Sequence, residues 1–420
     1  YSAILFKPFK NEVLDGVVES VNKLGFVTNA GPFQIFVSGS YIPSDMKLDM
    51  NTNPPSFHSD DQKIEKGTLV RIKIIGTLID ATKITAIGTI KEDYLGLIGT
   101  HSGTFHCDEA LACFMLRQLT EYSDAKIVRS RDPAVLETCD IVVDVGGVYD
   151  HEAKRYDHHQ RGFDEQFSAE FKTKLSSAGL IYKHYGQDVI RAIAKEADLD
   201  SSAVDQLHKK LYESVIEGVD GIDNGVSQYP SDIEPAYKES TGLSARVGRL
   251  NPWWNQPEGD MDERFAQAMA LTGSEFTERV RYYALSWLPG RKIVEQGYTG
   301  RFDIDQSGQI VLFDTFCPWK DHITTIEDEA LEKNPELAKI VYVLYPDTSG
   351  AWRVQAVPEK PGSFVSRHPL PESWRGIRDE ALSERSGVEG CIFIHQSGFI
   401  GGNKTRDGAL ALARKALTMD

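Results

Sequence analysis

The hydrophobic pattern changes near residue 95, and this change sets the fold class on each side of it. Before it, segments rich in Val, Ile, Phe and Thr follow one another with little helical periodicity, at residues 3–6, 13–21, 25–29, 33–37, 69–77 and 83–87. After it, short apolar strands alternate with helical segments, the pattern of a doubly wound parallel sheet. We therefore predict an all-β barrel of the OB type followed by α/β structure.

The α/β part is predicted to divide again near Leu288-Pro-Gly290. The strands expected before that point are at 97–100, 125–129 and 140–145, and the helices at 108–119, 175–185, 188–197, 202–217, 263–271 and 275–287. Beyond it we expect strands at 309–314, 340–345, 352–357 and 391–395 and a helix at 407–417. The domains are thus predicted over residues 1–98, 99–288 and 289–420. Segment 38–61, dense in Ser, Pro, Asn and Asp, is expected to be a long surface loop.

Composition narrows the functional classes. The net charge of -16 is uneven, because residues 1–98 carry ten Lys/Arg against eleven Asp/Glu and the remaining chain carries the acidity. A generally basic nucleic-acid clamp is therefore excluded. The five cysteines are scattered and form no C-x-x-C pair, which favours a reducing intracellular compartment. No apolar run approaches the roughly 20 residues of a membrane span, so we expect no membrane partner.

Potential metal ligands cluster where the strand at 97–100 gives way to a helix. His101, His106 and Asp108 fall within eight residues of one another there. In open parallel sheets the carboxyl ends of the strands form the binding crevice, so side chains at such a turn can converge on one point. A lone histidine is more often a structural residue than a ligand, but this cluster favours a metal site.

Two further stretches add acids and imidazoles in the same order along the chain. Asp144 ends an apolar strand and is followed by two glycines, and a buried carboxylate at that position should face a cation. Thirteen residues later comes Asp157-His158-His159, whose adjacent imidazoles beside a carboxylate suit Mn²⁺ or a similar first-row ion better than Ca²⁺. A helical acid at Asp220 or Asp223 completes the series.

This order of motifs resembles the DHH phosphoesterase superfamily, and it is most similar to the Myg family (melanocyte proliferating gene one). The matching stretches are 99–110, 142–147, 155–160, 174–181, 219–225, 243–247, 250–252, 369–372, 374–376 and 398–402. The resemblance covers nearly all of residues 99–420. It implies a DHH-type doubly wound parallel sheet followed by a C-terminal α/β substrate-binding domain. It also implies a Mn²⁺-dependent 3′-to-5′ RNA exonuclease of the nucleus and mitochondrion.

The resemblance assigns roles to the clustered residues. It implies two divalent ions, Mn²⁺ with Mg²⁺ as the alternative. The metal ligands it implies are His101, His106 and Asp144 for one ion and Asp108, Asp144, His158 and Asp220 for the other, with Asp223 as the alternative to the preferred Asp220. Asp144 would bridge the ions. His159 would contact the scissile phosphate, and Asp157 would orient a neighbouring imidazole.

A C-terminal glycine motif resembles the substrate-binding element of DHH enzymes. It comprises Gly401, Gly402, Asn403 and Lys404, with Asn403 where the family often has histidine. Paired glycines let backbone N–H groups approach an anion, and the lysine adds a positive charge. The basic residues Arg246, Arg367 and Arg375 are further candidates for phosphate contacts. For Trp253-Trp254 the alternatives are base stacking and packing, and we favour packing.

Residues 1–98 resemble the C-terminal half of the seventh subunit of RNA polymerase II. The resemblance rests on residues 6–13, 21–26, 42–46, 53–55 and 87–96. It implies an OB barrel that binds RNA, with the transcription machinery as a further partner.

Taken together, the two resemblances predict a two-metal exoribonuclease that acts on a single-stranded RNA 3′ end. Two other functions stay open. One is a phosphatase or cyclic-dinucleotide phosphodiesterase, since the same ligand set serves small phosphate esters. The other is a transcription-associated RNA-binding module with a vestigial hydrolase. The sequence does not fix the oligomeric state.

Overall fold

A computed structural model describes residues 12–43, 45–50, 52–59, 62–79, 84–90, 96–230, 232–257 and 259–419. Two compact units make up the chain. The first extends to residue 193 and continues from 208 to 277, and the second comprises 194–207 and the chain from 278 onward. The fold is mixed α/β with a closed β-barrel at the amino-terminal side. Among the described residues, none of the helices is both long enough and apolar enough to cross a bilayer.

The barrel begins the first unit. Its region contains strands β1 (Val13–Asn22), β2 (Gly25–Ala30), β3 (Phe33–Ser38), β4 (Lys47–Asp49), β5 (Ser56–His58), β6 (Lys63–Ile64), β7 (Leu69–Ile79) and β8 (Ile84–Thr89). Five of them close in the order β1-β2-β3-β8-β7, with β1 also paired to β7. In β3, Phe33, Ile35 and Val37 are buried and the residues between them are not, so alternation directs every second side chain into the core. The predicted all-β barrel is therefore confirmed.

The described residues of segment 38–61 include secondary structure that was not predicted. It contains a short 3₁₀ turn at Gly39–Tyr41 and strands β4 and β5, which form a small antiparallel sheet with β6. Phe57 and Ile64 from this sheet are buried and pack in the barrel core. Burial of these apolar side chains stabilises strands in a segment whose composition favours turns. The strand predicted at 3–6 lies outside the described residues.

A mostly parallel sheet forms the next part of the first unit. Its strands are β9 (Leu97–Thr100), β10 (Lys126–Arg129), β11 (Ile141–Val143), β12 (Tyr149–Asp150) and β13 (Arg155–Tyr156). Their order is β10-β9-β11-β13-β12, with only β12 antiparallel to its neighbour. Since four strands run parallel, the loops that follow them leave from the same edge of the sheet.

The helices of this region differ in part from the predicted ones. They are α1 (Cys107–Arg117), α2 (Pro133–Leu136), α3 (Ser177–Ile193), α4 (Ser201–Leu211), α5 (Glu217–Asp223) and α6 (Leu243–Gly248). The two helices predicted at 175–185 and 188–197 are one, α3, because Gly186 does not interrupt it. A Cβ at Gly186 would lie 2.6 Å from His208 Nε2, so this glycine serves close packing and not chain reversal. A π-helical turn at Tyr212–Ile216 joins α4 to α5.

The helix is continuous through residue 288, where a domain boundary was predicted. Helix α7 (Met261–Tyr282) continues through a π-helical turn at Tyr283–Trp287 into α8 (Leu288–Thr299). Pro289 falls in the first turn of α8, directly after that wide turn. At this position its missing N–H costs little, so the proline does not end the helix.

A five-stranded mixed sheet forms the core of the second unit. The elements are α9 (Arg301–Ile304), β14 (Ile310–Leu312), α10 (Trp319–Lys333), β15 (Tyr342–Pro346), β16 (Trp352–Ala356), α11 (Asp379–Ser386), β17 (Cys391–Ile394), β18 (Ile400–Asn403) and α12 (Arg406–Leu417). The strand order is β14-β15-β16-β18-β17, and only β14 and β15 are parallel. Alternate strand residues face two apolar clusters: Leu344 packs in the cluster of α12, and Val343 in that of α10.

Candidate metal centre

Three neighbouring parallel strands end in potential metal ligands. His101 follows β9, Asp144 follows β11, and Asp157 follows β13. Because the carboxyl ends of these strands share one edge of the sheet, the three loops meet there, as the sequence pattern led us to expect.

The amino terminus of α1 brings three more side chains to this edge. His106 is the N-cap residue, and its backbone N–H donates to Glu109 Oε1 at 2.8 Å. Asp108 and Glu109 occupy the first turn and are fully buried. Carboxylates are favoured at a helix amino terminus, where backbone N–H groups leave a partial positive charge.

Asp144 lies at the middle of the cluster. Its Oδ2 is 3.3 Å from His101 Nε2, while its Oδ1 is 3.3 Å from His158 Nε2 and accepts a hydrogen bond from Ser177 Oγ at 3.0 Å. The two oxygens therefore face different imidazoles, as a bridging carboxylate would. The backbone of Asp144 has φ of 60°, an unfavourable region for most residues that here turns the carboxylate toward both histidines.

Three groups of side chains have ligand atoms close enough to hold a cation. Within each group these atoms lie within 4.8 Å of one another. The groups are His101, His106, Glu109 and Asp144; Asp108, His158 and Asp223; and Asp144, His158 and His159. Asp144 and His158 each belong to two of them, so the groups form one continuous centre. Glu109 was not predicted, and its place in the first helical turn beside Asp108 was the available signal.

The bonding state of these atoms fits a metal ion. Neither carboxylate oxygen of Asp108 has a hydrogen-bond partner among the described residues, although both are buried. His158 Nε2 lies 3.1 Å from Asp223 Oδ2 but makes no well-directed hydrogen bond with it or with Asp144. Buried polar atoms without partners are costly, and a divalent cation would satisfy all of them. A set of imidazoles and carboxylates suits first-row divalent ions.

Electrostatics within the centre are strongly coupled. Burial raises the pKa of Asp108 well above its usual range, and the nearby carboxylates of Asp144, Glu109 and Asp223 raise it further. Burial alone would lower the pKa of His101 and of His158, but their carboxylate partners outweigh it and raise each pKa to about 10. Burial opposes ionisation of Asp144 too, yet the adjacent imidazoles of His101 and His158 hold its pKa well below the usual range.

These pKa values predict that metal binding depends on pH. Without a bound cation, His101 and His158 carry protons at neutral pH, because each pKa is about 10. A metal ion needs the neutral imidazole, so it must displace these protons, and its affinity should rise by about tenfold per pH unit for each proton released. Calorimetric titration with Mn²⁺ from pH 6 to pH 8, in buffers of different ionisation enthalpy, measures both the Mn²⁺ affinity and the number of protons released. Equal affinity at both ends of this range would contradict the prediction.

The structure places Asp223, and not the preferred Asp220, beside His158. Asp223 lines the cavity at the centre, whereas Asp220 is fully buried. The Asp220 carboxylate accepts hydrogen bonds from Ser176 N at 2.9 Å, Ser176 Oγ at 2.7 Å, Gly179 N at 3.1 Å and Tyr212 Oη at 3.0 Å. It therefore serves the start of α3, and burial raises its pKa to about 7. A Cβ at Gly179 would lie 2.4 Å from this carboxylate, which explains the glycine.

His159 and Asp157 form a pair at the edge of the centre. His159 Nδ1 is 2.8 Å from Asp157 Oδ1, and Asp157 Oδ2 accepts from the backbone N–H of Gly147 at 2.5 Å. Asp157 is buried, whereas 61% of the His159 side chain is exposed. Asp157 thus fixes the ring whose other nitrogen, Nε2, is left for a ligand in the cavity.

The predicted C-terminal substrate element is largely occupied by structural contacts. Gly401 and Gly402 lie in β18, which pairs with strands on both sides, and a Cβ at either would collide with a side chain. Asn403 is buried, with Nδ2 donating to Glu389 O and Oδ1 accepting from Thr405 N. The backbone N–H groups of this strand are therefore committed to the sheet and not to an anion.

The predicted phosphate-binding basic residues differ in whether their charged groups already have partners in the protein. Arg367 pairs with the buried Glu327 at 2.6 Å and donates to Ile340 O, so it is not available to a phosphate. Arg375 donates to Leu370 O, and Arg246 pairs with Glu275. Lys404 is exposed, and its ammonium alone keeps the predicted role open.

A cavity of about 860 Å³ opens onto the centre within the first unit. His101, Asp144, His159 and Asp223 line one side of it, and residues 239–248 contribute the other. Arg131, which belongs to none of the sequence motifs, also lines the cavity, and its Nη2 lies 3.2 Å from His101 Nδ1. The cavity thus places a guanidinium, an exposed imidazole and the carboxylates around one space.

Comparison with known proteins matches both parts of the chain. A family model described as "Uncharacterised protein family (UPF0160)", with the short name MYG1_exonuc, matches residues 97–417, and the S1 RNA binding domain matches residues 7–85. The human protein named MYG1 exonuclease is 53% identical over 326 residues, which is 76% of this chain and 85% of the human protein. The MYG1 protein of Caenorhabditis elegans is 53% identical over 328 residues, and that of Saccharomyces cerevisiae 48% over 327, each covering 76% of this chain and 95% of the relative.

Proposed function

This chain belongs to the MYG1 exonuclease family (UPF0160), and on that premise we propose that it is a metal-dependent 3′-to-5′ RNA exonuclease with a two-metal mechanism. The observation that carries the proposal is the linked set of ligand groups that share Asp144 and His158. The S1 RNA binding domain at residues 7–85 supports RNA as the substrate. Residence in the nucleus, the mitochondrion or both stays a prediction from the resemblance.

In this proposal His101, His106, Glu109 and Asp144 would hold one ion. Asp108, His158 and Asp223 would hold the other, with Asp144 beside His158. Such a pair supplies a water nucleophile at neutral pH and neutralises charge on the phosphoryl oxygens. Asp144 holds both sites in register, because its two oxygens face the two histidines. The sheet with these ligands at its carboxyl edge would then be of the DHH type.

The remaining residues around the cavity position the substrate. His159, fixed through Nδ1 by Asp157, presents Nε2 to a non-bridging phosphate oxygen. Arg131 Nε donates to Ser102 O at 3.2 Å, which holds the guanidinium beside the His101 loop. From there it can neutralise a second phosphate oxygen and orient the phosphodiester for in-line attack. The buried walls around Asp144 and Asp108 exclude bulk water and strengthen these contacts.

The proposal predicts stepwise shortening of RNA from one end. A single-stranded RNA 20-mer labelled at its 5′ end should give a ladder of progressively shorter products with Mn²⁺, while the same RNA labelled at its 3′ end should release labelled mononucleotide at once. A duplex with blunt ends is the matched control and should resist. Gel analysis of both labels decides direction.

Four results would contradict the proposal. Release of the 5′ label as mononucleotide would reverse the direction, and equal cleavage of a DNA 20-mer would remove RNA selectivity. Turnover confined to cyclic dinucleotides or mononucleotides would favour the small-ester alternative. Absence of bound metal together with copurification of transcription machinery would favour the vestigial-hydrolase alternative.

A further inference from the structure

Trp253 and Trp254, for which we favoured a packing role, are exposed. The side chain of Trp254 is 96% exposed and that of Trp253 is 66% exposed. An indole buries a large apolar area when it packs, so leaving two adjacent ones in water forgoes a considerable gain in stability. Adjacent exposed indoles are typical of surfaces that bind a planar ligand.

The tryptophans sit on a defined turn. Gln256 N donates to Trp253 O at 3.0 Å, and Trp253 N donates to the Gln256 side chain at 3.2 Å. These reciprocal bonds place Trp254 and Asn255 at the two central positions of a four-residue turn. The indole of Trp254 therefore projects from a fixed point of the backbone.

This turn is attached to the loop that supplies two of the ligands. Asn251 accepts from Phe105 N at 3.1 Å and donates to Phe105 O at 2.9 Å, directly beside His106. Arg129 donates to both Gly103 O and Met261 O, which fixes the far end of the segment. Trp254 lies three positions after Asn251, so their Cα atoms are at most about 11 Å apart.

The segment that precedes Asn251 lines the cavity. Residues 239–248 form one of its walls, and the exposed aromatics lie just outside both ends of that stretch. Tyr237, 77% exposed, lies two residues before it, and Trp253 and Trp254 lie a few residues after it. Along the chain, exposed aromatic residues thus flank the segment that forms this wall.

We infer that Trp254, with Trp253 beside it, stacks on nucleobases of a single-stranded substrate and holds the strand whose terminal phosphodiester lies at the metal centre. This rests on the proposed nuclease function and names the contact that favours unpaired nucleic acid. Every base has a π-face, so stacking grips any sequence, whereas paired bases are hidden from it. The negative net charge of the chain beyond residue 98 suits contact with bases better than contact with phosphates.

Binding measurements test this separately from hydrolysis. In the Asp144→Asn background, which keeps the probe intact, Trp254→Ala should weaken binding of a fluorescein-labelled single-stranded RNA 12-mer about tenfold by anisotropy. Trp254→Phe should restore most of the affinity, because a phenyl ring still stacks. Asn255→Ala, in the same turn but without a ring, should bind as the background does. A 12-mer whose three 3′-terminal nucleotides lack bases should bind both proteins equally.

In the active protein the same substitution should raise KM for the RNA about tenfold and change kcat less than twofold. Unchanged RNA affinity in Trp254→Ala would overturn the inference while leaving the nuclease assignment intact. A change of sedimentation coefficient in Trp254→Ala would also overturn it, since the ring would then pack against a second copy. Failure of the wild-type chain to cleave any RNA would instead count against the proposed function.

Discussion

Asp144→Asn should lower hydrolysis of single-stranded RNA by about a thousandfold and remove both bound ions. A neutral amide cannot offer an anionic oxygen to each of two cations, and losing about 4 kcal/mol of transition-state stabilisation corresponds to that factor. Asparagine is the appropriate replacement because it tolerates the left-handed backbone that Asp144 adopts, with φ of 60°. Metal content by mass spectrometry and initial rates with Mn²⁺ measure the two effects.

A matched control separates this effect from the removal of one negative charge. Asp164 is an exposed aspartate of the same unit, and Asp164→Asn should keep full metal content and activity. Circular dichroism should show the same helix content for both variants. Retention of two ions by Asp144→Asn, with activity within tenfold of wild type, would remove Asp144 from the bridging position.

The clustering of potential ligands at strand ends could be anticipated from the sequence, because the sheet brings these positions together. His101, Asp144 and Asp157 each follow a short apolar strand, and parallel strands bring such positions to one edge. The barrel was equally readable, since its strands show clear alternation of apolar and polar residues. In both cases short-range pattern and global packing point to the same structure.

Long-range contacts decided what the sequence pattern left open. Asp220 and Asp223 are both helical acids three residues apart, and only the position of α3 shows that Asp220 faces Ser176 while Asp223 faces His158. Glu109 resembles an ordinary capping acid until His101 is seen 3.0 Å from its carboxylate. Such assignments depend on which distant residues contact a side chain in the folded protein, and no local sequence pattern encodes these contacts.

The C-terminal glycines are a different case. The glycine motif is visible in the sequence, but the sequence does not show that it lies within a sheet. Gly401 and Gly402 are consecutive, which suggested a loop open to an anion. They lie instead in the second strand from the edge, where Ile394 and Arg353 occupy the space that a Cβ would need. Small residues in a strand therefore signal close approach of neighbours, and that neighbour can be protein as well as ligand.

Asp220→Ala and Asp223→Ala should fail in opposite ways. Removing the Asp220 carboxylate leaves four donors without their acceptor in a fully buried site, so the free energy of unfolding should fall by about 3 to 5 kcal/mol. The Asp223 side chain is 17% exposed, and its carboxylate lies 3.1 Å from His158 Nε2. Its removal should leave the free energy of unfolding within about 1 kcal/mol of wild type but lower Mn²⁺ affinity and RNA hydrolysis at least a hundredfold.

Urea denaturation and Mn²⁺ titration of both variants separate the two roles. Glu217→Ala, which removes an acid of the same helix bonded to Thr173 Oγ1, is the matched control and should change unfolding and metal affinity only slightly. Excess Mn²⁺ distinguishes a metal ligand from a structural acceptor. It should raise the stability of Asp220→Ala by mass action, because that variant keeps its metal ligands, and it should do less for Asp223→Ala. A stable, metal-free Asp220→Ala protein would return Asp220 to the centre and displace Asp223 from it.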